Sequence, residues 1–334
     1  MTFINVFLRT LGFLTAVTIF LIIINLMFYL FSNEKPGYQF SKGEIGSNNI
    51  IAILELNGPI ISNINKSFVG DIYEFIDPNS VKRYLSTLEE INPNALIIKI
   101  NSPGGTVSAS ASLEKIINNF KKRNNIDIYF HSSEILASGG YWVATSGDKI
   151  YANYGSIIGS IGVSGPSWYY YDKPKSISTG ILGQKIETEN GIYIFDQNAG
   201  NSKDLFNPFR KPKNYELDHL QKIVKEIYND FLIKVSNSRK IEVNFIKNEI
   251  GALIYSSTQA KENFLIDDIL ELDELIKRII NEKNFENYKV IEMDSSKTFF
   301  AKYFAKYYET NLLFICNKIN SNFVSIFPHF LNSC

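Results

Sequence analysis

The sequence predicts an α/β protein, built on a mostly parallel sheet and carrying one N-terminal transmembrane helix. Three observations lead there. Short apolar runs at 50–56, 95–100, 126–130 and 149–152 have the length and β-branched content of buried strands. Segments of helical period separate them, too long for hairpins, so each crossover joins parallel neighbours. Ahead of both, residues 10–31 contain no charged side chain.

The apolar N-terminal run is long enough for a bilayer, since about 21 residues at ~1.5 Å each cover the ~30 Å hydrocarbon core. A cleaved signal peptide has a shorter apolar region, usually ~7–15 residues, closed by small residues. This run ends instead on Met27-Phe-Tyr-Leu-Phe31, which suits a membrane interface. We read residues 10–31 as an uncleaved anchor. Arg9 is the only charged side chain before it, so residues 1–9 are expected in the cytoplasm and residues 34–334 outside. Pro, Gly, Ser and Asn at 32–49 read as a linker. A globular domain is expected over 50–285 and a separate tail over 286–334.

Within the domain, Asp77-Pro-Asn79 caps a helix whose apolar positions are Val81, Tyr84, Leu85 and Leu88. Helices are expected over 108–122, after Ser138, over 214–235 and over 258–282. The 334 residues are 45% hydrophobic and 20% charged, enough to bury a core. Lys+Arg 34 balances Asp+Glu 34, which argues against a nucleic-acid partner. Cys316 and Cys334 cannot supply a four-thiolate site, and His131, His219 and His329 lack ligand spacing, so no metal and no cofactor are expected.

Two glycine-bearing turns follow strands, where open α/β sheets bind ligands. In Asn101-Ser-Pro-Gly104-Gly105, bare backbone can approach a ligand and its N–H groups can receive an oxyanion, though a plain turn reads the same way. In Ala137-Ser138-Gly139-Gly140 the serine stands at a strand-to-helix junction, as a nucleophile or as an ordinary N-cap. A nucleophile needs a base. His131 reads as a packing or surface residue, and Asp218 cannot orient His219 because adjacent helical residues diverge. A buried lysine is the remaining option; Lys203 stands out in a constrained loop ending Pro208-Phe-Arg210, although a solvated loop lysine looks the same.

Taken together these pieces resemble the signal peptide peptidase A family of membrane-bound serine proteases, in its short single-domain form. The matching pieces run in order: Leu56-Asn-Gly-Pro-Ile60, Asn101-Ser-Pro-Gly-Gly105, Ala137-Ser-Gly-Gly-Tyr-Trp-Val-Ala144, Asp148-Lys-Ile-Tyr-Ala-Asn153, Gly159-Ser-Ile-Gly-Val163, Lys203-Asp with Pro208 and Arg210, Ser238-Arg239, and residues 255–267. The resemblance implies a Clp protease/crotonase-like fold of repeated β-β-α layers. It implies Ser138 as nucleophile, Lys203 as general base, Ser160 orienting the lysine, and Gly104 and Gly139 as the oxyanion hole. Clp-type enzymes place a histidine about 25 residues after the serine; here that position is Val163, and no histidine lies between His131 and His219.

The same resemblance implies peptide substrates with apolar segments, such as remnant signal peptides or misassembled membrane proteins. It implies a ring-like homo-oligomer whose serine and lysine come from neighbouring copies, held in the bacterial inner membrane with the catalytic domain on the extracytoplasmic side. A silent scaffold of the same fold and a crotonase-type acyl-CoA enzyme are the rivals. The segment 164–198 is longer than the family's usual connection to the lysine loop. In the tail, aromatics at 299, 300, 303, 304, 307 and 308 would share a helical face beside Lys297, Lys302 and Lys306, suiting a bilayer interface or packing on the domain.

Overall fold

The computed structural model describes residues 2–31, 36–62, 75–172, 178–180, 183–185, 199–293 and 324–326. Helix α1 (Thr2–Phe31) comes first, and its segment Phe3–Ile24 is long and apolar enough to cross a membrane, with mean hydropathy 2.3. That segment starts upstream of the expected residue 10 and includes Arg9.

The domain then runs β1 (Tyr38–Gly43), β2 (Ile50–Asn57), α2 (Pro78–Ile91), β3 (Ala95–Asn101), β4 (Gly104–Thr106), α3 (Val107–Asn124), β5 (Asp127–Ser132), β6 (Ile135–Ala137), α4 (Gly139–Ala144), β7 (Lys149–Ala152) and β8 (Ile157–Gly159). A short hairpin, β9 (Ser178–Gly180) and β10 (Gly183–Lys185), precedes the long α5 (Asn214–Arg239). After it come β11 (Ile254–Ser256), α6 (Ser257–Glu262), β12 (Asp268–Ile269), α7 (Leu272–Glu282), β13 (Lys289–Met293) and β14 (Val324–Ile326).

The main sheet has the order β1-β13-β2-β3-β5-β7-β12 and is parallel throughout except for the edge strand β1. Alternation along the strands fills two cores. Leu54, Leu96, Ile98, Ile128 and Phe130 face α2–α5, while Ile51, Ile53, Ile97 and Tyr129 face Leu275, Ile276 and Ile279 of α7. Burial on both faces explains the continuous apolar strands, which a one-sided sheet would not need. Helix α2 starts as its sequence requires, with the Asp77 carboxylate accepting the Ser80 N–H at 3.0 Å.

Three expectations need correction. The stretch 258–282 is two helices, α6 and α7, because Phe264 takes a left-handed φ of 59° and the chain then pairs β12 with β7. The linker 32–49 contributes β1, and the tail contributes β13, which is inserted between β1 and β2. Strand β1 is hard to read from sequence because it is exposed and its alternation, Tyr38 and Phe40 with Gln39 and Ser41, spans only four residues. Residues 299–308, Cys316, His329 and Cys334 lie outside the described residues.

Asp267 closes the sheet edge against α5: its carboxylate accepts from Ile150 N–H at 2.8 Å, from Arg239 at 2.7 Å and from Lys149 at 3.0 Å. Burial pushes its pKa up, but the Ile150 amide and the two cations outweigh that, and the net shift is downward. A depressed carboxyl contributes stability above its ordinary range and loses it as pH falls through the folded value. Asp267→Asn is expected to cost about 1–3 kcal/mol at neutral pH. Thermal melts of the full chain in detergent at pH 7 and pH 4 should show the variant less pH-sensitive than the parent.

Candidate active site

The carboxyl ends of β2, β3 and β5 converge, and Asn101 ties them together. Its Oδ1 accepts the N–H groups of Ser133 and Glu134, both at 3.0 Å, and its Nδ2 donates to Asn57 Oδ1 at 3.3 Å. The turn after it is fixed by bonds from Ser102 N–H to Ile135 O (2.8 Å) and from Ala137 N–H to Ser102 O (3.0 Å). These hold 102–105 alongside β6, the strand that delivers Ser138. Gly104 has φ of 108°, and a Cβ on Gly105 would stand 2.0 Å from the Ile60 carbonyl oxygen, so both positions need glycine. The Gly104 N–H donates to Ser102 Oγ at 3.2 Å.

Ser138 is not an N-cap: its side chain makes no capping bond, and its backbone sits at φ 54°, ψ −120°. That conformation costs a non-glycine residue roughly 1–3 kcal/mol and persists only where surroundings impose it. Here Ser138 N–H donates to Gly159 O at 2.8 Å, and Ser138 O accepts from Trp142 N–H at 2.9 Å. The first of these bonds draws Ser160 alongside. Ser160 also has positive φ, 54°, and its N–H donates to Leu253 O at 2.7 Å. Gly139 follows Ser138 as the buried first residue of α4.

Ser138, only 1% exposed, and Ser160 line a cavity of about 320 Å³. Its far wall is one face of α5, where Gln221, Val224, Lys225 and Tyr228 recur at helical spacing. Burial pushes the Tyr228 phenol upward. The spacing 221, 224, 225 and 228 marks one helical face, but nothing local in the sequence marks that face as a cavity wall. Lys203 does not line the cavity; it lies exposed on the loop preceding α5. His131 is buried on β5 with Nε2 3.0 Å from Leu270 O, and burial lowers its pKa. His219 is exposed on α5 and absent from the cavity lining. The structure thus brings Ser138 and Ser160 together, with the Gly104 turn alongside, and leaves Lys203 apart.

Residues 120–286 match the family model described as Peptidase family S49. A protein of Enterococcus faecium named as signal peptide peptidase SppA is 30% identical over 278 residues, covering 83% of this chain and 76% of that one. The chain belongs to peptidase family S49. It is a serine peptidase, and membership leaves no place for the acyl-CoA reading. A Methanocaldococcus jannaschii protein named as a protease is 29% identical over 213 residues, covering 63% of this S49 chain and 64% of the relative. Among solved structures, a membrane-bound stomatin-specific protease with a substrate peptide covers 77% of this chain and 97% of its own, at 16% identity and a TM-score of 0.42.

The backbone at Ser138 generates a prediction. Ser138→Gly removes the positive-φ penalty and should raise the melting temperature by a few degrees, whereas Ser138→Ala keeps the penalty and should not. Equal melting temperatures for the two variants would show that the turn is unstrained.

Proposed function

We propose that this S49 peptidase is a membrane-anchored endopeptidase working through a Ser138/Lys203 dyad. The observation that carries the reading is Ser138 itself, a serine held in a glycine-like conformation at the floor of a cavity, beside Ser160. Ser138 Oγ attacks the peptide carbonyl carbon while its proton passes to a neutral lysine Nζ. The oxyanion is received by the N–H of Gly139 and by the N–H of Gly104 once it turns from Ser102 Oγ. When the C–N bond breaks, the ammonium returns its proton to the leaving amine. Water, deprotonated by the same lysine, then releases the acyl group from Ser138. Ser160 is the neighbour placed to hydrogen-bond the amine and aim it.

Lys203 would reach that position from a second copy of the chain, because within one chain it is exposed and does not line the cavity. This is the homo-oligomer that the family resemblance implies. Apolar peptide segments fit as substrates, since α1 would hold the cavity at a membrane surface. An extended substrate backbone is supported by β14, which lies antiparallel on β4 with Ser325 opposite Gly105. That edge, at the turn beside Ser138, is where a peptide would add as a strand.

One observation favours a second base. Lys225 lines the Ser138 cavity within the same chain. Single variants separate the readings: Lys203→Ala should abolish peptide hydrolysis, and Lys225→Ala should change KM more than kcat. Loss of kcat in Lys225→Ala with activity kept in Lys203→Ala would transfer the role. A silent scaffold would leave Ser138 unlabelled by a fluorophosphonate; labelling that disappears in Ser138→Ala is expected.

The pH dependence follows from the base. A lysine acts only when neutral, and its ordinary value is ~10.4, so kcat/KM should rise toward alkaline pH. A rate that peaks near neutrality and loses its limb in His219→Ala would contradict the dyad. Deleting residues 324–326, which removes β14, is expected to raise kcat/KM for short peptides by freeing the β4 edge.

A further inference from the structure

The loop 199–213 is far more tightly built than an exposed lysine requires. Ser202 and Phe206, on either side of Lys203, both take positive φ, 61° and 66°. Lys203 N–H donates to Gly200 O at 3.3 Å, and Ser202 Oγ lies 2.8 Å from the Tyr215 hydroxyl. From the other side, Trp168 Nε1 donates to Asn207 O at 3.2 Å and Tyr171 N–H to Pro208 O at 2.8 Å. At the centre stands Arg210. Its Nε and Nη2 hold the Asp204 carboxylate at 2.5 and 2.9 Å, and its Nη1 and Nη2 hold the Glu216 carboxylate, both at 2.8 Å.

Two further bonds, to the Asp204 and Lys211 carbonyls at 3.3 and 3.2 Å, complete the set, and the guanidinium stacks over the Trp168 ring at 5.0 Å. Glu216 is only 1% exposed, and also accepts the Lys213 N–H at 2.9 Å. The guanidinium holds the Glu216 carboxyl at about 2 and draws Asp204 down as well, so the clamp stays charged through the working pH range. Two strained residues and a two-carboxylate clamp around one solvent-facing lysine are out of proportion to the structural needs of a surface loop. Strain of this kind collects where a side chain must be presented in one geometry.

We propose that Arg210 is the positioning residue for Lys203: clamped between Asp204 next to the lysine and Glu216 on α5, it fixes the loop in the conformation that delivers the lysine to the serine cavity. The inference rests on the reading of Lys203 as the base. Lysine cannot replace Arg210, because a point charge does not span two carboxylates in the planar geometry that a guanidinium provides. Asp204 shares the role, since its backbone adjoins the lysine and its carboxylate is the nearer jaw of the clamp.

The test compares Arg210→Lys, Arg210→Met, Asp204→Asn and Lys203→Ala in the full chain, with kcat, KM and the pH profile measured on one fluorogenic peptide. A misplaced base costs turnover rather than binding, so both Arg210 variants should lose about 100-fold in kcat. Their KM should stay within about twofold, with the alkaline limb displaced upward from the parent's. Asp204→Asn should lose about tenfold on the same pattern. A merely structural clamp would lower the melting temperature without moving the pH limb. Parental kcat and an unmoved limb in folded Arg210→Met, with Lys203→Ala inactive, would overturn the role of Arg210 alone. Activity kept in Lys203→Ala would instead overturn the base on which the inference rests. If Arg210→Met does not fold, parental kcat in Asp204→Asn overturns the proposal.

Discussion

The parallel register of β2, β3, β5 and β7 is the constraint on which the site depends. Ile51 pairs with Ala95 and Ala95 with Asp127, so the strands end level, and their polar termini meet. Asn57, Asn101 and Ser132 would otherwise be unpaired polar groups above an apolar core. The carboxamide of Asn101 joins them and fixes the two turns that follow. From there the geometry propagates by backbone bonds alone: Ser102 to β6, Ser138 to Gly159, Ser160 to Leu253. The backbone of the Ser138 turn is therefore tied to the neighbouring strands, which is what allows a serine to persist at φ 54°.

Much of this was legible in the sequence because parallel strands buried on both faces must be apolar throughout. The four strands, the Asp77 cap and the Gly104-Gly105 turn each have a local cause, and local causes leave local patterns. Ser138 is different. A serine before a helix is most simply a cap, and only the fold reveals that its side chain does not cap and that its φ is positive. Strand β1 alternates over only four exposed residues, and β13 enters the sheet by an order that no local pattern encodes. Phe264, with its left-handed φ, divides the stretch 258–282 that reads as one helix.

The candidate site divides in the same way. Family motifs point to Ser138, Ser160, Gly104, Gly139 and Lys203, and the chain's own fold collects the first four around one cavity or the turn beside it. Lys203 stands outside, on a loop whose internal bonds are saturated by Arg210, Asp204 and Glu216. A rigid loop that holds its lysine toward solvent has the build of a part made to complete something else. The wall of α5, by contrast, is formed within one chain: Gln221, Val224, Lys225 and Tyr228 shape the cavity. Catalytic power and pocket shape would thus come from different sources, the base from assembly and the walls from folding.

The most direct test of this account is complementation between two inactive chains. Ser138→Ala and Lys203→Ala chains carrying different tags would be co-expressed, and oligomers containing both isolated by sequential capture. If the lysine of one copy serves the serine of its neighbour, the mixed oligomers should hydrolyse peptide although neither parent does. Mixed oligomers as inactive as either parent would place both groups in one chain and contradict the account.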